Sequence, residues 1–302
     1  MYNAERKMQF LAEREESAVI AGNLINAFES AEEMEKRYGK DLCEWTSVEI
    51  INFYKYLSTS SVQSLVQLHN SLTNYTTWCI LNGLVKNNQN HFAEIKTQML
   101  INCADVNNLV NCVVTRDQLL RDIKPIPNEC DKFIILGLFE GILVSDDVMR
   151  NVKLSDLDGN ILHLSNGIDL EISPELRHIM GRAAEEMYYE RYEAKRKKPI
   201  LYKHEDTIIR ETVNNTSSNT TSTILIGGRY RRAIRYIGYS DGTTMKVMRE
   251  SGRLHYMRKI ATEYNVTMEE TVTNHVIRVK HERIFGKIQN QTTYLSTYGK
   301  CF

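Results

Sequence analysis

The run His255-Tyr256-Met257-Arg258-Lys259-Ile260-Ala261-Thr262 decides how this chain is read. A three-residue separation puts His255 and Arg258 on one face of a helix, where imidazole and guanidinium can meet the same phosphate. Lys259 follows directly and joins them as a phosphate-binding candidate. A lone His-x-x-Arg pair is weak evidence, so its meaning depends on what surrounds it.

The pair lies in the basic part of a chain with no net charge. Residues 1–180 carry 16 Lys and Arg against 25 Asp and Glu, whereas residues 181–302 carry 22 against 13. A basic half concentrates near a polyanion and gains affinity by releasing counterions. The plainer alternatives are an ordinary solvated surface or attraction between the halves. At 302 residues, 42% hydrophobic and 25% charged, the chain has the length for two domains with a substantial core. It has no run of about 18 apolar residues to span a bilayer. The start Met1-Tyr2-Asn3-Ala4-Glu5-Arg6-Lys7 lacks the apolar core of a secretory signal. The expected setting is therefore the cytoplasm, without a membrane partner. Cys43, Cys79, Cys103, Cys112, Cys130 and Cys301 form no Cys-x-x-Cys pair and read as buried, reduced thiols. No metal and no cofactor are expected, and no glycine-rich phosphate loop offers a competing enzyme reading.

Periodicity predicts a mainly α chain with a small β component. Residues 5–38 place Phe10, Leu11, Val19, Ile20, Leu24, Ala27, Phe28 and Met34 at helical spacing up to Gly39. Thr46 and Glu49 are spaced for a capping box, and a further helix is expected from about Val62 to Leu84. These helices form a bundle over 1–104; Lys55, Ser60, Ser61, Gln67, Asn74 and Lys86 either line DNA or are merely solvated. The linker is expected between about residues 100 and 114, and a second domain over 114–302. There, Ile134 through Phe139 begin a buried helix, and Ile161 through Leu164 form a strand after the Asp158-Gly159-Asn160 turn. Ser173-Pro174-Glu175 opens a helix expected to run to about Lys198, ending in the cationic Lys195-Arg196-Lys197-Lys198. The polar stretch 214–223 reads as a loop, and Ile224–Ile226 and Ile234–Ile237 as short strands around Gly227-Gly228. Arg229, Arg231, Arg232 and Arg235 concentrate charge there as phosphate-binding candidates, with Tyr230, Tyr236 and Tyr239 either joining them or packing. Thr267 and Glu270 cap a helix carrying Val272, Val276, Ile277 and Val279.

In this order the motifs resemble those of the tyrosine recombinase and phage integrase family. His255 through Thr262 looks like the family's His-x-Leu-Arg-His-x-x-Ala segment. Gly141-Ile142-Leu143-Val144-Ser145-Asp146-Asp147-Val148, followed by Val152 through Asp158, looks like its first arginine box, with Leu143 at the arginine position. Leucine has no charge and no donor, so that phosphate clamp is absent, and Lys153 is a weak substitute. Asp146 and Asp147 fit either the supporting acid or a turn. Phe285-Gly286-Lys287 resembles the Leu-Gly-His box, with Lys287 able to donate to phosphate but lacking imidazole. In Gln291-Thr292-Thr293-Tyr294-Leu295-Ser296-Thr297-Tyr298, Ser296 occupies the expected nucleophile slot and Tyr294 and Tyr298 are each offset by two residues. Arg229, Arg231 or Lys246 stands where the family's hairpin lysine assists the leaving group; spacing does not choose among them.

The resemblance implies a helical core-binding domain plus a mixed tyrosine-recombinase-like catalytic domain. The expected function is that of a catalytically degenerate phage repressor: a sequence-specific, DNA-associated regulator in a bacterial host that clamps double-stranded DNA at an operator. The inducing or anti-repressor protein stays open, and the final segment is a candidate for self-association. One alternative is an atypical DNA-cleaving recombinase using His255, Arg258 and Tyr298 or Tyr294. The other is a protein-interaction module that binds no DNA.

Overall fold

Side chains that cap the first turn start many of the helices in the computed structural model, which describes residues 1–13, 18–57, 62–104, 110–192, 198–214 and 222–302. The chain divides into two units, Met1–Asn108 and Leu109–Phe302. Ser60, Ser61, Lys195 through Lys197, most of the 214–223 stretch and the middle of the expected linker lie outside the described residues, as do the side chains of Val19 and Ile20.

The first unit is helical: α1 (Ala4–Ala12), α2 (Ala18–Tyr38), α3 (Ser47–Tyr56), α4 (Val62–Leu81) and α5 (Thr97–Cys103). Gly39 takes the left-handed conformation, φ 67°, that ends α2. Thr46 Oγ1 accepts the Glu49 amide while the Glu49 carboxylate accepts the Thr46 amide, which starts α3. Phe10, Phe28, Trp45, Phe53, Tyr54 and Tyr75 form its core. One ion pair is sealed within the unit: Lys7 Nζ lies 2.6 Å from both carboxylate oxygens of Glu35.

The second unit opens with α6 (Arg116–Asp122) and α7 (Glu129–Glu140). A three-stranded antiparallel sheet follows in the order β1 (Leu157–Asp158), β2 (Ile161–His163), β3 (Asp169–Glu171). Leu162 pairs with Leu170, and both turn inward. Next come α8 (Pro174–Glu185), the two-stranded pair β4 (Tyr188–Tyr189) and β5 (Ile200–Leu201), then α9 (Ser222–Tyr236) and α10 (Met245–Tyr264). The unit closes with α11 (Met268–Thr273), α12 (His275–Phe285) and α13 (Gln291–Tyr298). Helix α7 is the axis of this unit; nearly every residue from Glu129 to Phe139 is buried. Helix α10 crosses it at Gly252, where an added Cβ would lie 1.6 Å from the Phe139 carbonyl oxygen. Only glycine permits that approach.

The structure therefore has the expected mainly α character with a small β component, a helical unit preceding a mixed one. Four local expectations change. The buried helix containing Ile134 through Phe139 begins at Glu129 rather than at Ile134. Ile224–Ile226 and Ile234–Ile237 are not strands but parts of α9, because Ile226, Tyr230, Ala233 and Ile234 share one buried helical face. Short apolar runs do not distinguish the two periods, and burial of that face outweighs roughly 1 kcal/mol of helix propensity lost at each of Gly227 and Gly228. The helix from Pro174 ends at Glu185 rather than near Lys198, since the Glu186 carboxylate turns to accept the amides of Glu129 and Cys130 at the start of α7. The segment after Thr267 is two helices, not one. Asn274 breaks it and caps the second through its Oδ1, which accepts from Val276 and Ile277.

Candidate nucleic-acid interface

Because Gly252 lets α10 lie against α7, His255, just beyond it on α10, packs its ring 5.8 Å from that of Phe139. Lys259 lies four residues further along the same helix. Helix α12 contributes Lys280 and Arg283, and α6 contributes Arg116, so that all five side chains line one basin of about 510 Å³. Phe139, Leu170, Ile172 and Phe285 also line it, together with Glu140, Asp169 and Glu171. The charges are thus arranged with cations from α6, α10 and α12 and carboxylates from α7 and β3.

Several of the basin's ionisable groups have defined partners. Burial lowers the pKa of His255, and the nearby charges of Arg116 and Arg258 lower it further, which disfavours the charged ring. Burial raises the pKa of Glu140, whose carboxylate accepts from the Ser173 amide at 2.8 Å and from the Ser173 hydroxyl. That carboxylate fixes the entry to α8. Arg116 Nη2 lies 2.7 Å from Glu175 Oε2. Lys280 Nζ sits 4.5 Å from the centre of the Tyr264 ring and donates to its hydroxyl.

The other sequence candidates are distributed differently. Arg258 is exposed and donates to the Cys301 carbonyl; it does not line the basin, although its charge reaches His255. Leu143 lies just after α7, its carbonyl accepting the Met149 amide at 2.9 Å, and is not part of the basin. Ser145–Asp147 is a 3-10 turn with Asp147 at φ 57°. Lys153 sits 4.0 Å from Asp206, also away from the basin. Lys246 and Lys287 are exposed, and neither lines it.

Arg229 is not a surface cation. It is 3% exposed, with Nε 2.6 Å from Asp131 Oδ1, Nη1 donating to the Arg210 carbonyl and Nη2 to the Tyr202 hydroxyl. Burial opposes its charge most strongly, but Asp131 together with Tyr202, Cys130 and Tyr189 outweighs it, and the net effect raises the pKa and keeps the group protonated. A guanidinium held on all sides inside the unit cannot reach a DNA phosphate, which removes Arg229 from the phosphate-binding set. Arg231, Arg232 and Arg235 occupy the exposed face of α9: Arg232 donates to the Tyr189 hydroxyl and Arg235 pairs with Asp241 at 2.8 Å. The region is helical, so Arg231 and Lys246 are not on a β-hairpin and neither occupies a hairpin-lysine position.

Tyr294 and Tyr298 are buried with Leu254, Met257 and Val272, their rings 4.9 Å apart. The Tyr294 hydroxyl points to Met257 Sδ at 3.9 Å. Burial raises both phenol pKa values, and the Glu250 carboxylate raises them further. Beside them Arg253, 2% exposed, donates to the carbonyls of Phe285 and Gly286. The tyrosine that lines the basin is Tyr256, its ring 6.0 Å from that of Phe285. Sequence reasoning missed Tyr256, Arg116, Lys280 and Arg283. The signal available for the last two was the three-residue spacing of Lys280 and Arg283 within the basic run Arg278-Val279-Lys280-His281-Glu282-Arg283. Five of the six cysteines are buried, and all are free.

A helical unit followed by a mixed unit, the latter gathering a histidine and four cations in one basin, defines a mainly helical protein with a core-binding domain ahead of a catalytic-type domain. Residues 1–81 match the family model described as "MrpR, N-terminal core-binding domain", and residues 113–294 match "MrpR, C-terminal catalytic domain". The chain belongs to the MrpR family. It is 26% identical over 223 residues to the SPbeta prophage-derived uncharacterized protein YopR of Bacillus subtilis (strain 168), covering 70% of this chain and 67% of that one. A crystal structure of XerA recombinase aligns with 98% of this chain and 96% of its own at 14% identity, with a TM-score of 0.37. Among the described residues, no helix is long and apolar enough to cross a membrane.

Proposed function

We propose that this chain is a sequence-specific DNA-binding regulator of phage or prophage origin, a repressor that holds backbone phosphates reversibly and does not cut them. One observation carries the reading: His255 and Lys259 share a basin with Arg116, Lys280 and Arg283, while Tyr294 and Tyr298 are packed in a separate hydrophobic cluster. Charge and donors suffice to hold a phosphate. Cleavage also needs a nucleophile aligned with the phosphorus, and a displacement of even about 1 Å can cost about a hundredfold in rate. The likeness to a prophage-derived protein supports the phage origin. Repression follows if the bound duplex is an operator that the protein occludes. The exposed arginines of α9 supply further phosphate contacts, and base edges or local shape supply the sequence preference.

The presence of Tyr256 in the basin favours one second reading, a strand-cleaving enzyme with a relocated nucleophile. The experiment incubates the protein with DNA flanking its own gene and separates reversible complexes from covalent ones under denaturing conditions. Specific, salt-sensitive complexes without adducts support the repressor. An adduct that disappears in Tyr256→Phe establishes the second reading, and one that disappears in Tyr298→Phe or Tyr294→Phe shows that the buried cluster opens. Absence of any complex overturns both.

A further inference from the structure

We propose that Arg116 supplies the phosphate-binding guanidinium that Leu143 lacks, and that Glu175 holds it in reserve until a DNA phosphate displaces the carboxylate. Such a role presupposes DNA binding by the basin and names a contact within it.

Leucine at 143 leaves the first arginine box without a donor, and the side chain does not line the basin. Lys153, the nearby cation, does not line it either. Arg150 is committed elsewhere, 3.0 Å from Glu205 and 3.8 Å from Glu211. Arg116 reaches the basin from α6, on the far side of α7 in sequence, and shares it with His255 and Lys259. Its position is fixed by Thr115, whose Oγ1 accepts the Gln118 amide and starts that helix. Its charge is close enough to depress the His255 pKa.

The ion pair with Glu175 has the character of a displaceable contact. Its side chains are 24% and 46% exposed, and pairs of this kind contribute little net stability in water. Nη2 faces Glu175, and a guanidinium has five donors arranged as a fork that matches a phosphate on a second edge. An arriving phosphate brings charge comparable to that of the carboxylate and adds contacts to Lys259 and Arg283. Glu175 therefore competes with DNA, and its removal should tighten binding through Arg116.

The test measures anisotropy of a short fluorescein-labelled duplex across a salt series, using the full chain and the variants Arg116→Ala, Arg116→Lys, Glu175→Gln and Arg116→Ala/Glu175→Gln. Arg116→Ala should weaken binding roughly tenfold and reduce the magnitude of the salt slope by about one. Arg116→Lys should recover the slope but not the full affinity, because charge returns without the fork. Glu175→Gln should tighten binding about threefold, and that gain should vanish when Arg116 is also replaced. Thermal melting of each variant checks that folding is intact. If Arg116→Ala binds with wild-type affinity and slope, the role is wrong while DNA binding stands. If Glu175→Gln tightens binding equally in both backgrounds, its carboxylate merely repels DNA and does not hold Arg116. A wild-type chain that binds no duplex overturns the underlying reading itself.

Discussion

Gly252→Ala should loosen the second unit and, with it, weaken the DNA binding proposed for the basin. An alanine Cβ at this position would lie 1.6 Å from the Phe139 carbonyl oxygen and 2.5 Å from its carbonyl carbon. Ordinary contact begins at 3.4 Å, so the helices α7 and α10 must separate by about 1.8 Å. Both obstructing atoms are backbone, and no rotamer change relieves them. Overpacking of a tight core costs about 3 kcal/mol or more in such a case, and the better helix propensity of alanine returns about 1 kcal/mol. The net loss of about 2 kcal/mol should lower the Tm by about 4–8 °C for a unit of this size. Circular dichroism melting and urea titration read it directly. Gly181→Ala in α8 is the matched comparison: its Cβ meets nothing within 4 Å, and it should be neutral or stabilise by up to about 1 kcal/mol. His255 and Lys259 lie on the displaced helix, so duplex affinity should fall for Gly252→Ala and hold for Gly181→Ala. A Gly252→Ala protein that melts with the wild type, or above it as Gly181→Ala should, would refute the close crossing of these helices.

Three further perturbations test the supports of the site. Asp131→Asn leaves the Arg229 guanidinium buried without its counter-charge and should cost about 3–5 kcal/mol; a urea midpoint near wild type would contradict the buried pair. His281 is fully buried, its Nε2 donating to the Thr271 carbonyl at 3.0 Å, and burial lowers its pKa from 6.5 to about 4. The unfolded chain therefore takes up this proton first, so His281 contributes its full stability above pH 6.5 and loses it as pH falls toward 4, on the order of 3 kcal/mol in all. Urea midpoints from pH 7 to pH 4 should fall less steeply in His281→Gln than in wild type, and parallel curves would count against the buried neutral ring. Thr267→Ala removes a reciprocal cap from α11 and should cost about 1 kcal/mol, seen as faster amide exchange in that helix; unchanged exchange would show that packing alone holds it.

What could be read from the chain was local chemistry. Thr46 with Glu49, Thr267 with Glu270 and Ser173 before Pro174 announce helix starts because donor and acceptor lie within one turn of each other. The Asp158-Gly159 turn is legible for the same reason, and Gly159 adopts φ 60° between β1 and β2. Helix α9 was not legible, because Ile224-Leu225-Ile226 followed by two glycines resembles a strand and turn until Tyr230, Ala233 and Ile234 are placed on the same face. Nor could the sequence distinguish Arg229 from Arg231, Arg232 and Arg235: the one that turns inward is chosen by Asp131, which lies 98 positions away. The basin follows the same division. His255 belongs to a recognisable run, whereas Arg116 and Arg283 join it only through the packing of α6 and α12. The two-residue offset of Tyr294 and Tyr298 was visible in the sequence, but their burial was not.

Holding a phosphate and transferring one make unequal demands on this architecture. A cation in the basin contributes from many positions, since Coulomb attraction falls slowly with distance, which allows Arg116, Lys280 and Arg283 to gather there from separate helices. A tyrosine nucleophile must reach the phosphorus and lose its proton. Tyr298 is 5% exposed and its phenol pKa is raised by burial and by Glu250. Bringing it out would expose a side chain whose burial is worth about 2 kcal/mol and would uncover Leu254, Met257 and Val272 beneath it. Each unit of raised pKa adds about 1.4 kcal/mol to the cost of the phenolate on top of that. The packing of α13 thus works against attack by Tyr294 or Tyr298 while leaving the basin open, and this asymmetry supports the proposal of a protein that grips DNA and releases it intact.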